Sequence, residues 1–400
     1  MNSRRFLTPL LILMIFLAGC ASALPFAGIP ALSVSPAPVA DLQVEAPASQ
    51  PISYNPAQID TGVLAQVQAT FQQIYQTVNP SVVNIQTVQQ VSNGWQTGLA
   101  SGQGSGFVWD MTGHIVTNSH VVEGASAITV TFADGTVLDA ELVGADPESD
   151  LAVIHVDAGA VELQPVTLAD SRVVQVGDLV IAIGNPFGLS GTMTQGIVSA
   201  LSRSLEVSAD TSFSTGSYTI PDIIQTDAAI NPGNSGGVLV DVQGRVVGVT
   251  AAIRSATNSN AGIGFVIPSH IVQRIVPVLI ADGSYTHPRM GISGLSLTPD
   301  VAKQAGLDRA QKGILIMGLS RGGPAERAGM VASTQQRGAN GMAQITLGDV
   351  IVAIDGQPVK SFDDLSSYLF NNTEVGQEVM VTVLRGGAEQ AITLTLGSGS

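Results

Sequence analysis

The sequence predicts a mostly β protein with two parts, a large β-rich part and a smaller α+β domain after it. Three observations carry this prediction. Between residues 81 and 250, runs of β-branched residues recur at roughly 8–12-residue spacing, with turn signals such as Thr112-Gly113 between them. Glycine numbers 44 and charged residues are only 12% of the chain, which suits turn-rich β-structure with large apolar cores. After Gly283 strands alternate with short helices, as in a separate small domain. The β-rich part is therefore expected to form closed barrels or a sandwich.

Helical elements flank these strands. Between residues 58 and 79 apolar side chains recur at helical spacing, which predicts an amphipathic helix before the first strand. Residues 268–280 predict a second helix that closes the β-rich part. In the small domain, helices are expected at 299–305, 324–328 and 362–371. Residues 333–343 are polar and contain glycine, which indicates an inserted loop.

The N-terminus carries the pattern of an export signal. Arg4 and Arg5 precede an apolar run from Phe6 to Ala18, which is too short to span a bilayer comfortably. The run ends in Leu17-Ala18-Gly19-Cys20, which resembles a bacterial lipobox. Residues 1–20 are predicted to be a lipoprotein signal peptide with Cys20 as the lipidation site. The alternative is an ordinary signal peptide with an incidental cysteine. Residues 21–60, rich in Pro, Ala and Ser, are predicted to be a flexible tether.

Composition also limits the partners. The net charge is −15, and an acidic chain repels phosphate backbones, so nucleic acid is not an expected partner. No group of His and Cys residues has the spacing of metal ligands. We therefore expect no metal and no cofactor.

One serine stands among glycines in the segment Asn231-Pro232-Gly233-Asn234-Ser235-Gly236-Gly237. Glycines on both sides allow unusual backbone angles, so several N–H groups can converge beside one hydroxyl group. Such a loop can supply both a nucleophile and an oxyanion hole. Taken alone, a serine flanked by glycines is more often part of a simple turn.

A histidine and an aspartate upstream give this serine possible partners. A serine hydroxyl needs an imidazole to accept its proton, and the imidazole needs a carboxylate to fix its tautomer. His120 lies where a predicted strand ends, and Asp150 directly precedes a buried strand. Each could be purely structural, as a strand-end residue or a turn residue. Asp146 and Asp157 are weaker carboxylate candidates, since the first reads as a turn residue and the second lies at the far end of the strand.

The segment Gly233–Gly237 also fits the G-x-S-x-G pattern of α/β-hydrolases, with His270 or His287 as the partner. That motif requires a helix directly after the serine. The residues Val238-Leu239-Val240 predict a strand instead, so this alternative is not favoured.

Six motifs in order resemble the HtrA/Deg family of trypsin-like serine proteases with a C-terminal PDZ domain. Three carry the His, Asp and Ser named above, and three are structural signatures: Gly184-Asn185-Pro186-Phe187-Gly188, Gln195-Gly196-Ile197-Val198-Ser199 and Gly262-Ile263-Gly264-Phe265-Val266-Ile267-Pro268. The resemblance extends from about residue 64 to 397. It implies a chymotrypsin-like double β-barrel protease domain over residues 61–283 and a PDZ domain over residues 284–400.

The resemblance also implies roles for individual residues. Ser235 would be the nucleophile, His120 the general base and acid, and Asp150 the orienting carboxylate. The N–H groups of Gly233 and Ser235 would form the oxyanion hole, with Asn234 shaping the loop. The segment aligned with the family's substrate-binding residues is small and apolar at its start, which suits a shallow pocket: Ala251, Ala252, Ile253, Arg254 and Ser255.

In the PDZ domain, Met290, Gly291 and Ile292 would form the loop that binds a peptide's terminal carboxylate, with Arg289 as a possible helper. The strand after this loop would pair with the peptide opposite Leu365, Tyr368 and Leu369. The polar segment 206–219 aligns with the family's regulatory loop.

The resemblance therefore predicts a membrane-tethered serine endopeptidase outside the cytoplasm that degrades unfolded or damaged proteins, forms a homotrimer and binds peptide C-termini. Two alternatives stay open. One is a chaperone-like or scaffold protein with little proteolytic activity. The other is a protease dedicated to one signalling substrate.

Overall fold

The computed structural model describes residues 62–92, 97–186, 191–208, 217–251, 262–337 and 343–398. The predicted signal peptide, Cys20 and the tether lie outside these residues. Residues 60–400 belong to one compact unit of the chain. Among the described residues, every helix is too short or too polar to cross a bilayer.

Six antiparallel strands close the first barrel in the order β1-β2-β3-β6-β5-β4. Inward-facing apolar residues on alternate positions, such as Val83 and Ile85 of one strand and Ile115 of another, fill its interior. The first two strands extend further than the short strands that were predicted. The prediction fell short because the outer half of these strands carries no apolar pattern. The strands are β1 (Val82–Ser92), β2 (Thr97–Val108), β3 (His114–Thr117), β4 (Ala125–Thr131), β5 (Val137–Asp146) and β6 (Leu151–His155).

The second barrel also has six strands, in the order β10-β11-β12-β9-β8-β7. Its longest strand, β8, is paired with β9 through three register shifts, so this hairpin bends strongly. The strands are β7 (Leu179–Gly184), β8 (Thr192–Ser208), β9 (Ser217–Thr226), β10 (Val238–Val240), β11 (Val246–Ala251) and β12 (Gly264–Pro268).

Within the described ranges, three α-helices accompany the barrels: α1 (Gly62–Val78), α2 (Ser119–Val122) and α3 (Ser269–Asp282). Helix α3 ends at Gly283, whose left-handed φ of 76° is easily adopted by glycine. Its apolar face, including Ile271 and Ile275, packs into a cluster that joins the two barrels through residues such as Phe107 and Val249. This shared core holds the barrels against each other on either side of the cleft between them.

The C-terminal part is a separate sheet with helices beside it. Strand order is β14-β15-β18-β20-β21, with β19 on β18, so β14 is an edge strand. Helix α6 begins with a capping box between Ser361 and Asp364. The elements are β13 (Pro288–Arg289), β14 (Ile292–Ser296), α4 (Pro299–Gln304), β15 (Ile314–Leu319), α5 (Pro324–Arg327), β16 (Thr334–Arg337), β17 (Ala343–Thr346), β18 (Val350–Ile354), β19 (Gln357–Pro358), α6 (Phe362–Asn372), β20 (Glu378–Arg385), β21 (Ala388–Thr395) and β22 (Gly397–Ser398).

This architecture confirms the predicted fold class, a mostly β protein with a double barrel and a following α+β domain. The predicted insertion contains more order than a loop, because β16 and β17 pair as an antiparallel hairpin on either side of residues 338–342. Those five residues lie outside the described part of the chain.

Candidate active site

His120 and Asp150 are in direct contact. Nδ1 of His120 lies 2.8 Å from Oδ2 and 2.9 Å from Oδ1 of Asp150. The backbone N–H of His120 also donates to Oδ1 at 3.1 Å. The Asp150 side chain is only 5% exposed, whereas the His120 side chain is 39% exposed. The carboxylate is thus sealed from water, while the imidazole remains accessible to a substrate.

The local backbone forces this arrangement. Asp150 has a φ of 56°, in the left-handed region that Asp tolerates better than most residues. Its carbonyl oxygen accepts from the Asn118 side chain at 2.9 Å and from the Ser119 N–H at 3.1 Å. These bonds tie the turn before β6 to the start of α2, so the carboxylate and the imidazole meet although 30 residues separate them.

The environment of His120 shifts its proton affinity. Burial by itself would lower the pKa of His120, but the charge of Asp150, the hydrogen bond to it and the charge of Glu123 together raise the pKa above the usual 6.5. A carboxylate that stabilises the imidazolium form suits a group that must accept a proton from a hydroxyl.

The loop that carries Ser235 is shaped by two glycines with positive φ, Gly233 at 98° and Gly236 at 84°. Two tight turns close it, because Asn234 N–H donates to Asn231 and Gly237 N–H donates to Asn234, each at 2.9 Å. Gly236 N–H donates to the Thr250 carbonyl at 2.8 Å. Ser235 itself is 5% exposed.

Ser105 on β2 connects this loop to the His120 side of the cleft. Its N–H donates to the Ser235 carbonyl at 2.7 Å, and its hydroxyl donates to the Gly233 carbonyl at 2.6 Å. Its own carbonyl accepts from the Thr117 hydroxyl at 2.7 Å. Ser105 was not among the site residues predicted from the sequence. The signal was a serine between two glycines, Gly104 and Gly106, inside a buried strand.

Close packing shows that the two sides of the cleft touch. A methyl group on Gly104 would lie 2.7 Å from the Val121 side chain and 3.2 Å from the Ser235 carbonyl. One on Gly236 would lie 2.5 Å from the Thr117 hydroxyl. Val121, which follows His120, and the Ser235 loop therefore pack so closely around β2 that neither glycine has room for an added carbon atom.

The alternative candidates for the carboxylate and the histidine of the site contact other residues. Oδ2 of Asp146 lies 2.8 Å from Nε2 of the buried His287, and Asp157 accepts from the Gly159 N–H at 3.0 Å. His270 contacts the Ser171 hydroxyl at 2.8 Å. The residues after Ser235 form strand β10 and not a helix, so the α/β-hydrolase alternative is wrong.

The predicted substrate pocket is only partly visible. Ala251 ends β11 and is 2% exposed. Residues 252–255 lie outside the described part of the chain, as do residues 209–216 of the predicted regulatory segment.

The predicted PDZ loop lies at the start of the edge strand β14. The carbonyls of Met290 and Gly291 accept from Ala325 N–H and Ser320 N–H, each at 2.9 Å. In a trans peptide the next N–H points the opposite way. The N–H group of Gly291 therefore points away from Ala325, and the N–H group of Ile292 points away from Ser320.

A groove of about 380 Å³ lies at this edge, lined by Met290, Gly291 and Ile292 of the loop and by Leu365 and Leu369 of α6. Tyr368, which was expected to face the same strand, instead donates its hydroxyl to Asp355 at 2.9 Å.

Within the described part of the chain, His, Cys, Asp and Glu side chains form no group of three or more that could hold a metal ion. Residues 104–249 match the trypsin-like peptidase domain family, and residues 288–396 match the PDZ domain family.

Relatives extend these matches across both domains. Protease Do-like 1, chloroplastic, of Arabidopsis thaliana is 40% identical over 345 residues, covering 85% of this chain and 73% of that protein. A probable periplasmic serine endoprotease DegP-like of Rhizobium meliloti (strain 1021) is 40% identical over 296 residues, covering 74% of this chain and 53% of that protein. This chain thus spans about half the length of the latter relative. A solved structure of the HtrA-type protease AlgW with decapeptide is 34% identical, with a TM-score of 0.64, and covers 82% of this chain and 99% of that one.

The fold, the site and these matches define a trypsin-like serine endopeptidase with a PDZ domain. The chain belongs to the HtrA/Deg family of serine proteases, as the sequence motifs indicated.

Proposed function

We propose that Ser235, His120 and Asp150 form the catalytic triad of this endopeptidase. The observation that carries the proposal is the contact of His120 with a sealed Asp150, beside a Ser235 loop tied to the same wall through Ser105. Ser235 attacks the peptide carbonyl, and His120 accepts its proton and later gives it to the leaving amine. Asp150 holds the imidazole tautomer and stabilises the imidazolium.

The oxyanion that forms in each half of the reaction needs N–H donors beside Ser235. The proposed hole uses the N–H groups of Gly233 and Ser235, with Asn234 fixing the loop between them. Support comes from the positive φ at Gly233 and from the Thr250 hydroxyl, which donates to the Asn234 carbonyl at 2.5 Å.

The proposed substrates are unfolded or damaged proteins. Trypsin-fold cleavage requires an extended segment in the cleft, which folded proteins rarely offer. Residues 251–255 would form a shallow pocket for small apolar side chains.

The PDZ domain, proposed to extend over residues 284–400 after a protease domain over 61–283, would bind peptide C-termini. The open edge of β14 and the orientation of the Gly291 and Ile292 N–H groups support this role.

We also propose that the protein is exported, lipidated at Cys20, and held to a membrane through residues 21–60. The periplasmic location named for the relative of Rhizobium meliloti supports export. Assembly as a homotrimer is a further proposal that rests on family resemblance. Metabolic labelling with tritiated palmitate tests the lipidation, since Cys20→Ser would lose the label. Light scattering tests the trimer.

Degradation of an unfolded protein tests the proposed activity. The whole chain is incubated with reduced, carboxymethylated lactalbumin and with the native protein, beside the Ser235→Ala variant. We expect cleavage of the unfolded form alone, and none by the variant. If the wild-type chain suppresses aggregation of the unfolded substrate but cuts nothing, the chaperone-like alternative replaces the proposal. If it cuts neither protein but cuts one particular membrane partner, the dedicated signalling protease replaces it.

A further inference from the structure

The segment that leads into the PDZ loop is held by the turn that carries Asp150. His287 Nε2 lies 2.8 Å from Asp146 Oδ2, and both side chains are at most 5% exposed. Two residues further on, the Arg289 guanidinium pairs with the Glu148 carboxylate. Asp146 and Glu148 stand four and two residues before Asp150. Two side chains of the PDZ domain thus contact one short turn of the protease domain.

The Arg289–Glu148 pair lies in the peptide groove. Glu148 and Arg289 both line it, together with the loop residues Met290 and Gly291. Arg289 directly precedes that loop. A carboxylate from the protease domain therefore already pairs with Arg289, which stands beside the predicted site of a peptide's terminal carboxylate.

We propose that Glu148 is an internal competitor for the ligand carboxylate and that Arg289 exchanges between the two, which makes Arg289 a specificity-determining residue for free C-termini. This inference rests on the proposed binding of C-terminal peptides by the same groove. Glu148 and a peptide C-terminus are both carboxylates, and a guanidinium offers the same planar pair of donors to either.

The energetics allow the exchange. The Arg289 and Glu148 side chains are 49% and 43% exposed, and pairs of this kind contribute little net stability. Breaking the pair is therefore inexpensive when an equivalent carboxylate replaces Glu148. A bound carboxylate would also repel Glu148, so occupancy of the groove would release one of the two contacts on the turn. The buried His287–Asp146 contact would keep the domains joined.

Other charged groups face the groove or its rim, and the test must separate them from Glu148. Asp363, at the start of α6, lines the same groove. Asp146 is paired with the buried His287. Replacing Asp363 therefore measures the general effect of removing a negative charge beside the ligand, without removing the partner of Arg289.

The test measures binding of fluorescein-labelled decapeptides that end in Val, Leu, Phe or Ala, each as free acid and as amide. Fluorescence anisotropy is recorded with the whole chain carrying Ser235→Ala, which prevents cleavage. Added to this background are Glu148→Gln, Arg289→Gln, both together, and Asp363→Asn. Arg289→Lys is a second variant that keeps the positive charge but loses the planar pair of N–H donors of the guanidinium. Circular dichroism checks that each variant is folded.

We expect Glu148→Gln to tighten binding of the free acid about two- to fivefold and to leave the amide unchanged. Arg289→Gln should reduce the preference for acid over amide to the part that the loop N–H groups supply, and Glu148→Gln should then have no more effect than Asp363→Asn, as coupled sites require. The inference is overturned if Glu148→Gln changes nothing, if Asp363→Asn tightens binding equally, or if Glu148→Gln acts as strongly without Arg289 as with it. If neither the acids nor the amides bind at all, the proposed binding of C-termini itself fails. That result is distinct from the three outcomes that overturn only the role of Glu148.

Discussion

The hydroxyl of Ser105 donates a 2.6 Å hydrogen bond to the carbonyl of Gly233, which lies 128 residues further along the chain. The same hydroxyl accepts from the Asn185 N–H at 2.8 Å. Asn185 in turn is bound through its carbonyl by the Asn84 side chain at 2.7 Å. Ser105 is fully buried, so one hydroxyl group fixes the Ser235 loop to two other segments of the cleft.

Replacing Ser105 by Ala should lower kcat/KM about 10- to 100-fold, because a shift of the loop by a fraction of an ångström misplaces the nucleophile. The variant leaves two buried backbone groups without a partner, at a cost of about 1–3 kcal/mol each. Peptide hydrolysis and thermal unfolding measure the two effects. Ser126→Ala, which removes an exposed hydroxyl bound to the Val88 carbonyl, is the control. Equal activity of both variants would show that the Ser105 bridge does not position the loop.

Gly236→Ala should abolish activity and lower the unfolding temperature. The added methyl group would lie 2.1 Å from the Ser105 carbonyl, at a φ of 84°. Gly135→Ala is a matched control, because Gly135 has a φ of 87° and open space around its Cα. Both variants carry the same left-handed strain of about 1–2 kcal/mol, so the difference between them isolates the collision. Similar unfolding temperatures would contradict the tight packing described for the loop.

The pH profile should reflect the raised pKa of His120. The imidazole must be neutral to accept the Ser235 proton, so activity falls as His120 becomes protonated. Because the folded pKa lies above 6.5, the acid limb of kcat/KM should have its midpoint above pH 6.5. Glu123→Gln removes one of the charges that raise this pKa and should move the midpoint to lower pH. A midpoint below 6.5, or one that Glu123→Gln moves upward, would contradict the assigned environment.

Asp150→Asn should reduce kcat by roughly 10⁴-fold while leaving the fold intact, since the amide favours the wrong imidazole tautomer. Asp157→Asn is the matched control, because Asp150 directly precedes β6 and Asp157 follows the same strand. The Asp157 carboxylate accepts from the Gly159 N–H at the start of a short turn, so its variant should keep nearly full activity. Comparable losses in both would refute the role given to Asp150.

The buried contact between Asp146 and His287 should stabilise the union of the two domains. His287 stacks on Phe370 with ring centroids 5.0 Å apart, and the Arg274 guanidinium lies 5.3 Å from the same ring. Asp146→Asn should lower the unfolding temperature by a few degrees, and combining it with His287→Gln should cost less than the sum of the two changes. Strict additivity in calorimetry would show that the two side chains are not coupled.

Local patterns predicted the β-rich part, as barrels or a sandwich, and the helices, while the double barrel and the grouping of His120, Asp150 and Ser235 came from the resemblance to a family. The residues around His120, Asp150 and Ser235 each lie in a short segment whose glycines and buried neighbours can be read directly. The Ser105 bridge could not be read in this way, because its partners lie 80 and 128 residues away and meet it only when both barrels close. Asp146 was predicted to be a turn residue, and it does accept from the Glu148 N–H at 3.2 Å. Its contact with His287 depends on how the two domains dock, which no local pattern encodes.

The polar outer half of the β1–β2 hairpin was missed for a related reason. The whole hairpin is paired over an unbroken ladder, from Val82 opposite Phe107 to Ser92 opposite Thr97. Backbone pairing sustains such a ribbon without an apolar stripe, so hydrophobic periodicity does not reveal its length.

Covalent labelling can locate the reactive serine of the whole chain. The whole chain is treated with a fluorophosphonate probe, with and without a C-terminal decapeptide, and the modified residue is found by peptide mass spectrometry. We predict a single adduct on Ser235, formed at least 100-fold more slowly in His120→Ala because the general base is lost. An adduct on another serine, or none on Ser235 under either condition, would contradict the assignment of the nucleophile.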